Sequence, residues 1–480
     1  MVSVLFIIPP ENHYIESNVS PKIEKGREFR QKLGLLYVGG YVRDATGVEP
    51  KILDCLADGW SLDDLERHIG ETKPDLVGFS VLTFNVLDCL DAAERIRKAS
   101  PATRICFGGF HATIYPNESL ALPVVDFVVF GDGELTFSEL VSAMQAGAPG
   151  YEDRLAAIDG LGWMSATGEA FMNKPRRMIT RTEFDAFPLP AHDLLDFDKY
   201  SVVLADTGRV ASIQTSRGCP AKCTFCDIRM TPYRYRTGER IVEEIRHLKA
   251  MDVNEFFIVD DTFTINRDRV LDVCKRLVDE KLNITFKVSS RVDSVDEEML
   301  GWLKKAGCTR IHYGVESGSQ RLLDLLEKGI TLDQVRKTFA MTRKAGIGTY
   351  AYMMIGIPTE TPDEMEQSIR FARELRPDHA NFSICTPFPK TKLYETWLAE
   401  NPDQDDYWGE FARSPNPDFK LHTANEYLDG QQLRELQSRA LRKFYSSPRL
   451  ILRETLRTRS WRQFKMKATV GLRMLSPRLA

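Results

Sequence analysis

The chain has 480 residues, 43% hydrophobic and 28% charged, the balance of a globular protein with room for two or three domains. A formal net charge of −4 argues against general nucleic-acid binding, and no apolar run approaches the length of a transmembrane helix. The N-terminus, MVSVLFIIPPENH, has no basic leader and too short an apolar run for a signal peptide, so a cytoplasmic protein is expected. Outside one loop the cysteines (Cys55, Cys89, Cys106, Cys274, Cys308 and Cys385) are scattered, several inside apolar runs. That pattern fits reduced, buried thiols better than a disulfide framework.

In chain order, residues 2–8 (VSVLFII) form an apolar run that stops at Pro9-Pro10, and GLLYVGGYVRDAT has helical spacing. EPKILDC, PDLVGFSVLT, TRICFGG and DFVVFGDGE follow as strands, with the helical patterns SLDDLERHIGE and VLDCLDAAERIRKA between them. Five βα units of this kind predict a doubly wound, flavodoxin-like sheet over residues 1–147. The small residues Gly108, Gly109, Gly131 and Gly133 at its strand ends leave room for a large ligand, although turns need glycine too. Residues 148–205 are Pro-rich and are expected to be an irregular linker.

Over residues 206–430, six β-rich runs alternate with amphipathic helices: ASIQTS, EFFIVDD, ITFKVSSR, TRIHYGVE, GTYAYMMIG and ANFSICT. Alternation of this kind predicts a parallel, partial (β/α)6 barrel with its site at the C-terminal strand ends. Asp260 and Asp261 close the second run, Ser289 and Arg291 the third, and Glu316 the fourth. Asp at such a position is also a routine helix N-cap. The first run leads into SRGCPAKCTFCDI, where Cys219, Cys223 and Cys226 form a C-x3-C-x2-C triplet. Soft thiolates suit iron–sulfur clusters and zinc. Zinc sites usually close with four ligands, often two C-x2-C pairs, and no second pair is present. The preferred reading is a cluster with one iron left open; zinc and inert core cysteines are the alternatives.

The tail, 431–480, is basic, with Glu435 and Glu454 as its acidic residues. Leu433, Leu436, Ala440, Leu441 and Phe444 form one helical stripe, and Trp461, Phe464, Ala468, Leu472 and Leu475 form another. Such a tail suits either an anionic membrane surface or packing on the barrel.

The cysteine triplet resembles the signature of the radical S-adenosylmethionine (SAM) superfamily. The resemblance implies a [4Fe–4S] cluster whose open iron is chelated by the amino and carboxylate groups of SAM. It also implies a small-molecule substrate and an electron donor such as flavodoxin or ferredoxin. By the same resemblance Phe225 fills the aromatic slot near adenine, and Glu316 contacts the SAM ribose. Pro358, in IGIPTET, matches the fifth-strand motif whose backbone passes near adenine. The Gly-Gly-Glu motif that holds the SAM amino group in the family is replaced here by VDDTF. Asp260, Asp261 and Ser289 are therefore the remaining SAM-binding candidates.

The N-terminal order of motifs is PP after the first strand, GFSxxT in the third, GGFHAT after the fourth and GDGE after the fifth. Placed before such a barrel, it resembles the cobalamin-binding domain of the cobalamin-dependent radical SAM enzymes, over roughly residues 1–430. Ser80, Thr83, Gly108, Gly109, His111, Gly131, Gly133 and Glu134 are then expected around the corrin and its nucleotide tail. One departure stands out. The Asp-x-His-x-x-Gly loop of methionine-synthase-type domains is represented by Asp54-Cys55-Leu56-Ala57-Asp58-Gly59, which has no His to ligate cobalt. The alternative is a degenerate domain that scaffolds the barrel. The resemblance implies a methyltransferase acting on an unactivated carbon of a hydrophobic intermediate. A radical oxidative cyclase or rearrangement enzyme is the second reading, and a cobalamin-sensing or assembly protein the third. Contact of the tail with membrane would point to a lipophilic substrate.

Overall fold

The structure, a computed structural model, describes residues 2–13, 15, 31–200, 209–402 and 405–456. It divides into two compact units, one built from the described residues up to Tyr200 with 401–420, the other from 209–400 with 421–456.

In the first unit, strands β1 (Val4–Ile8), β2 (Lys51–Asp54), β3 (Leu76–Ser80), β4 (Arg104–Gly108) and β5 (Phe127–Val129) lie parallel in the order β2-β1-β3-β4-β5. This is the flavodoxin-like order that five alternating units predict. Parallel strands covered on both faces need apolar residues at consecutive positions, and all five residues of β1 are buried. Leu5 and Ile7 pack with Leu65, Ile69, Val86 and Ile96 of the helices Leu62–Thr72 and Val86–Ala99. Val4, Phe6 and Ile8 pack on the other face with Leu35, Val42, Phe137 and Leu140, from the helices Leu33–Thr46 and Gly133–Ala146.

Residues 148–205, expected to be irregular, depart from that expectation where described. β6 (Leu161–Met164) and β7 (Ala170–Met172) extend the sheet as an antiparallel hairpin against β5. Beyond them Phe184 and Phe187 pack with Ile179 on Tyr37. A Cβ at Gly40 would meet the Leu189 carbonyl, so this close approach requires glycine in the helix. These two strands have no amphipathic helix between them, so the βα alternation that marks the parallel strands is missing here. The chain also returns to this unit late: the helix Tyr407–Arg413 puts Phe411 into the same core as Leu5.

In the second unit, β8 (Val210–Ile213) leads into a two-stranded ribbon of β9 (Ser216–Arg217) and β10 (Arg234–Tyr235). β11 (Glu255–Ile258), β12 (Thr285–Ser290), β13 (Cys308–Glu316), β14 (Gly348–Ile355) and β15 (His379–Ile384) then join β8 in one six-stranded parallel sheet, in the order β8-β11-β12-β13-β14-β15. All six runs expected from the sequence are strands of this partial barrel. Five of the helices that follow the barrel strands start at a polar cap. Thr237, Asn266, Asp296, Thr331 and Thr361 each accept a backbone N–H of their helix's first turn. The edge strand β15 is covered by the helix Gly430–Tyr445: Gln437 Nε2 donates to the Phe382 carbonyl at 2.7 Å, and the Tyr445 hydroxyl to that of Ala380 at 3.0 Å. The stripe Leu433, Leu436, Ala440, Leu441 and Phe444 is buried there, so this half of the tail packs on the barrel. The second stripe, Trp461, Phe464, Ala468, Leu472 and Leu475, lies outside the described residues. Among those that are described, no helix is long and apolar enough to cross a membrane.

Candidate active site

The cysteine loop opens at the C-terminal end of β8, where barrel sites belong. Asp260 anchors its base. Its Oδ1 accepts the backbone N–H groups of Thr215 (2.6 Å) and Ser216 (2.9 Å), and its Oδ2 accepts their hydroxyls at 2.5 and 2.6 Å. Arg269 adds a contact to Oδ2 at 3.4 Å and donates to the Thr215 carbonyl at 3.0 Å. Expected as a SAM contact, Asp260 is buried and has both oxygens committed to the loop. Asp261 accepts the Gly218 N–H at 3.0 Å, and the Thr231 hydroxyl accepts the Cys219 N–H at 2.9 Å. Both carboxylates thus set the path of the chain into the triplet. Burial raises the Asp261 carboxyl to about 6, against the pull of the Gly218 N–H.

The far side of the loop meets β13. Glu316 has φ +67°, a strained value for a residue other than glycine. Its Oε1 accepts from the buried Lys328 ammonium at 2.8 Å. Burial lowers the pKa of Lys328, but Glu316 and Cys223 outweigh it and the net direction is up. A Cβ on Gly314 would stand 2.5 Å from Glu316 Oε1 and 2.8 Å from Lys328 Nζ, so the pair occupies the space that glycine leaves. Lys328 Nζ also sits 5.7 Å from the centre of the Phe225 ring, which packs with Leu322, Leu326, Ile357 and Cys385. Arg291 reaches across from the end of β12. It donates to the Lys328 carbonyl at 2.7 Å and to Cys223 Sγ at 3.6 Å, and it is held by Asp293. Three of the expected residues, Cys223, Phe225 and Glu316, therefore converge, and Pro358 follows Ile357, which packs in the cluster that Phe225 joins. Ser289 stands half-buried on β12, in register with His312 of β13. Arg291 and Lys328 were missed as site residues. Arg291 had a signal, its place at a strand end; Lys328, in LEKGIT, had none.

The thiol set fits a polynuclear iron centre. Cys219 and Cys223 are buried and Cys226 half-buried. Burial, with Asp227, Cys223 and Cys219 nearby, pushes the Cys226 thiol up to about 12. Three neighbouring thiolates need bound cationic metal to be ionised together. Among the described residues, no three His, Cys, Asp or Glu side chains gather as they would about a single ion.

In the first unit, Ser80, Gly108, Gly109, Gly131 and Gly133 stand at the ends of β3, β4 and β5. A Cβ at Gly131, where φ is +85°, would meet nothing within 4 Å, so the backbone there is open to a ligand. Gly109 is tight instead: a Cβ would lie 2.9 Å from the Val81 carbonyl. Glu134 begins the helix Gly133–Ala146 and is buried. His111 is buried without exposure and, with Thr83, forms an internal pair, Thr83 Oγ1 to His111 Nδ1 at 3.1 Å. The loop 54–59 folds as a capped turn. Asp54 accepts the Ala57 N–H at 2.9 Å and the Tyr200 hydroxyl at 2.8 Å, and Lys199 pairs with Asp58 at 2.5 Å. The place of the missing histidine is thus a closed structural turn.

Residues 213–372 match the family model of the radical SAM superfamily, and residues 29–141 that of the B12 binding domain. An uncharacterised methyltransferase of Pyrococcus horikoshii is 32% identical over 459 residues, 95% of each chain. The anaerobic magnesium-protoporphyrin IX monomethyl ester cyclase of Rubrivivax gelatinosus is 28% identical over 75% of this chain and 65% of its own. The cobalamin-dependent SAM radical enzyme OxsB, solved with aqua-cobalamin and SAM, shares the fold. Its TM-score is 0.72 at 16% identity, covering 98% of this chain and 72% of that one. Fold and site define a radical SAM enzyme. The chain belongs to the cobalamin-dependent radical SAM enzymes, whose cofactors are a [4Fe–4S] cluster, SAM and cobalamin.

Proposed function

We propose that this enzyme is a C-methyltransferase acting on an unactivated carbon of a small biosynthetic intermediate. The observation that carries this reading is the end-to-end likeness to a methyltransferase, which spans both cofactor units. When bound, the cofactors would supply the chemistry: SAM and cobalamin a methyl group for transfer, and SAM with the reduced cluster a means of removing a hydrogen atom from the substrate. Cys219, Cys223 and Cys226 hold three irons. Glu316 takes the ribose hydroxyls, with Lys328 fixing its carboxylate, and Phe225 and the Pro358 loop flank adenine. Asp260 and Asp261 keep the cysteine loop in place, and Arg291 sets positive charge beside Cys223. Gly108, Gly131 and their neighbours admit the corrin in the first unit. The electron comes from a donor such as flavodoxin or ferredoxin in the cytoplasm. Residues 457–480 supply any contact with an anionic membrane.

The test is product analysis with methyl-labelled SAM. A methyltransferase puts the label into the product. Substrate consumption with no label in the product contradicts the proposal and favours the radical cyclase reading, which the likeness to the Rubrivivax gelatinosus enzyme supports.

A further inference from the structure

Arg291 follows the last residue of β12, and its side chain is only 15% exposed. Its guanidinium is fixed on one side and faces a cysteine of the triplet on the other. Nε and Nη2 donate to the two carboxylate oxygens of Asp293 at 2.9 and 2.8 Å, and Nη2 also donates to the Lys328 carbonyl at 2.7 Å. Those bonds set the plane of the group and leave Nη1 directed at Cys223 Sγ, 3.6 Å away. Cys223 is held as well. Its neighbour Thr224 donates its N–H to the Leu326 carbonyl at 2.9 Å, and the Cys223 carbonyl accepts the Cys226 N–H at 3.2 Å. The fold therefore positions both partners of the N–H to sulfur contact.

The charges around the triplet are uneven. At Cys223 the neighbouring ion is a guanidinium, which keeps its charge at every working pH. At Cys226 it is a carboxylate: Asp227 Oδ1 lies 3.9 Å from Sγ. Asp293 offsets part of the Arg291 charge. Its side chain is 29% exposed, however, so water screens it more than it screens the inward N–H. A reduced iron–sulfur cluster carries one more negative charge than the oxidised one. An N–H donated by a cation to a ligand sulfur favours the more negative state, and a buried setting strengthens that preference. Arg291 therefore acts in one direction, toward easier reduction.

We propose that Arg291 raises the reduction potential of the cluster through Cys223, and so brings reduction within reach of a protein electron donor. Reduction adds one electron, supplied by a donor of the flavodoxin or ferredoxin class, and breaks no bond. Arg291 acts through Cys223, so it is a positioning residue and not a catalytic one. The inference rests on the cluster and not on the fate of the methyl group, and an enzyme that transfers no label would leave it standing.

The full chain with reconstituted cluster, without added SAM, is titrated potentiometrically, and the reduced cluster is followed by electron paramagnetic resonance. Iron content reports loading. Arg291→Met should shift the one-electron equilibrium at least tenfold toward the oxidised cluster, a potential lower by about 59 mV. Arg291→Lys, which keeps the charge but loses the fork, should shift it threefold the same way, about 28 mV. Asp227→Asn removes the opposing charge and should raise the potential. A purely structural role for the two side chains would not give shifts of opposite sign. If Arg291→Met loses its iron, Arg291→Lys decides. An unchanged or higher potential in the deciding Arg291 variant, a lower one in Asp227→Asn, or loss of iron from both Arg291 variants overturns the proposal.

Discussion

Gly314 is the residue on which the Glu316–Lys328 pair depends. Its missing side chain is the space where Glu316 Oε1 and Lys328 Nζ meet, so Gly314→Ala must push one of them aside. A charge-assisted hydrogen bond contributes roughly 1.5–3 kcal/mol, so the variant should bind SAM about tenfold or more weakly. Its iron content should match wild type, because no cysteine moves. Calorimetric SAM titration checks this; unchanged affinity would remove Glu316 from the SAM site. His111 makes a different prediction. Burial lowers its pKa from 6.5 to about 4, so it is neutral in the fold. Above pH 6.5 folded and unfolded chains both carry it neutral. As pH falls through 6.5 toward 4 the unfolded chain takes up the proton first, and roughly 3 kcal/mol of stability is lost. In metal-free protein, His111→Phe should flatten this acid limb of the thermal midpoint against pH. Parallel curves for the two proteins would show that His111 is protonated within the fold.

At the scale of elements, the helix Gly430–Tyr445 does two jobs. It covers the β15 edge, and its Leu433 lies against Gly356, where a Cβ would come 2.9 Å from Leu433 Cδ1. The neighbouring Asn425 amide donates to the carbonyls of Ile357 and Glu360 at 3.0 and 2.9 Å, pinning the loop that carries Pro358. Truncation after Ser447 keeps all of this. The truncated enzyme should therefore retain its iron and cleave SAM within about twofold of wild type. If the tail binds membrane, wild type should sediment with anionic liposomes and less so at high salt, since charge attraction is screened over about 10 Å at 0.1 M. The truncated form should stay in solution. Loss of iron on truncation would mean that residues beyond Ser447 cover the barrel, and the membrane role would fall. The elements legible in sequence share one property: each belongs to a run of strands alternating with helical patterns. All six barrel strands and the five parallel strands of the first unit meet that condition. The β6–β7 hairpin and the returning helix Tyr407–Arg413 do not, because short segments take their structure from the surfaces they land on.

Across the whole molecule, the same logic divides the site. The cysteine triplet is local, eight residues from first thiol to last, so the sequence shows it whole, and the resemblance it carries implies its chemistry. Lys328 and Arg291 matter only because β12, β13 and the loop after β13 bring them to Cys223 and Glu316. No local pattern encodes that meeting. Asp260 shows the converse: a carboxylate at a strand end is a ligand-binding candidate in sequence, and in the fold both its oxygens bond the cysteine loop. The most direct test of the account is the metal and cofactor content of one preparation. Full-length protein, purified anaerobically and supplied with iron, sulfide and hydroxocobalamin, should carry four irons and one cobalamin per chain and cleave SAM when reduced. Changing Cys219, Cys223 or Cys226 to Ala should remove the iron and the cleavage but not the cobalamin, while Cys274→Ala should keep all three. Stoichiometric zinc in place of iron in the wild-type protein would contradict the account at its centre.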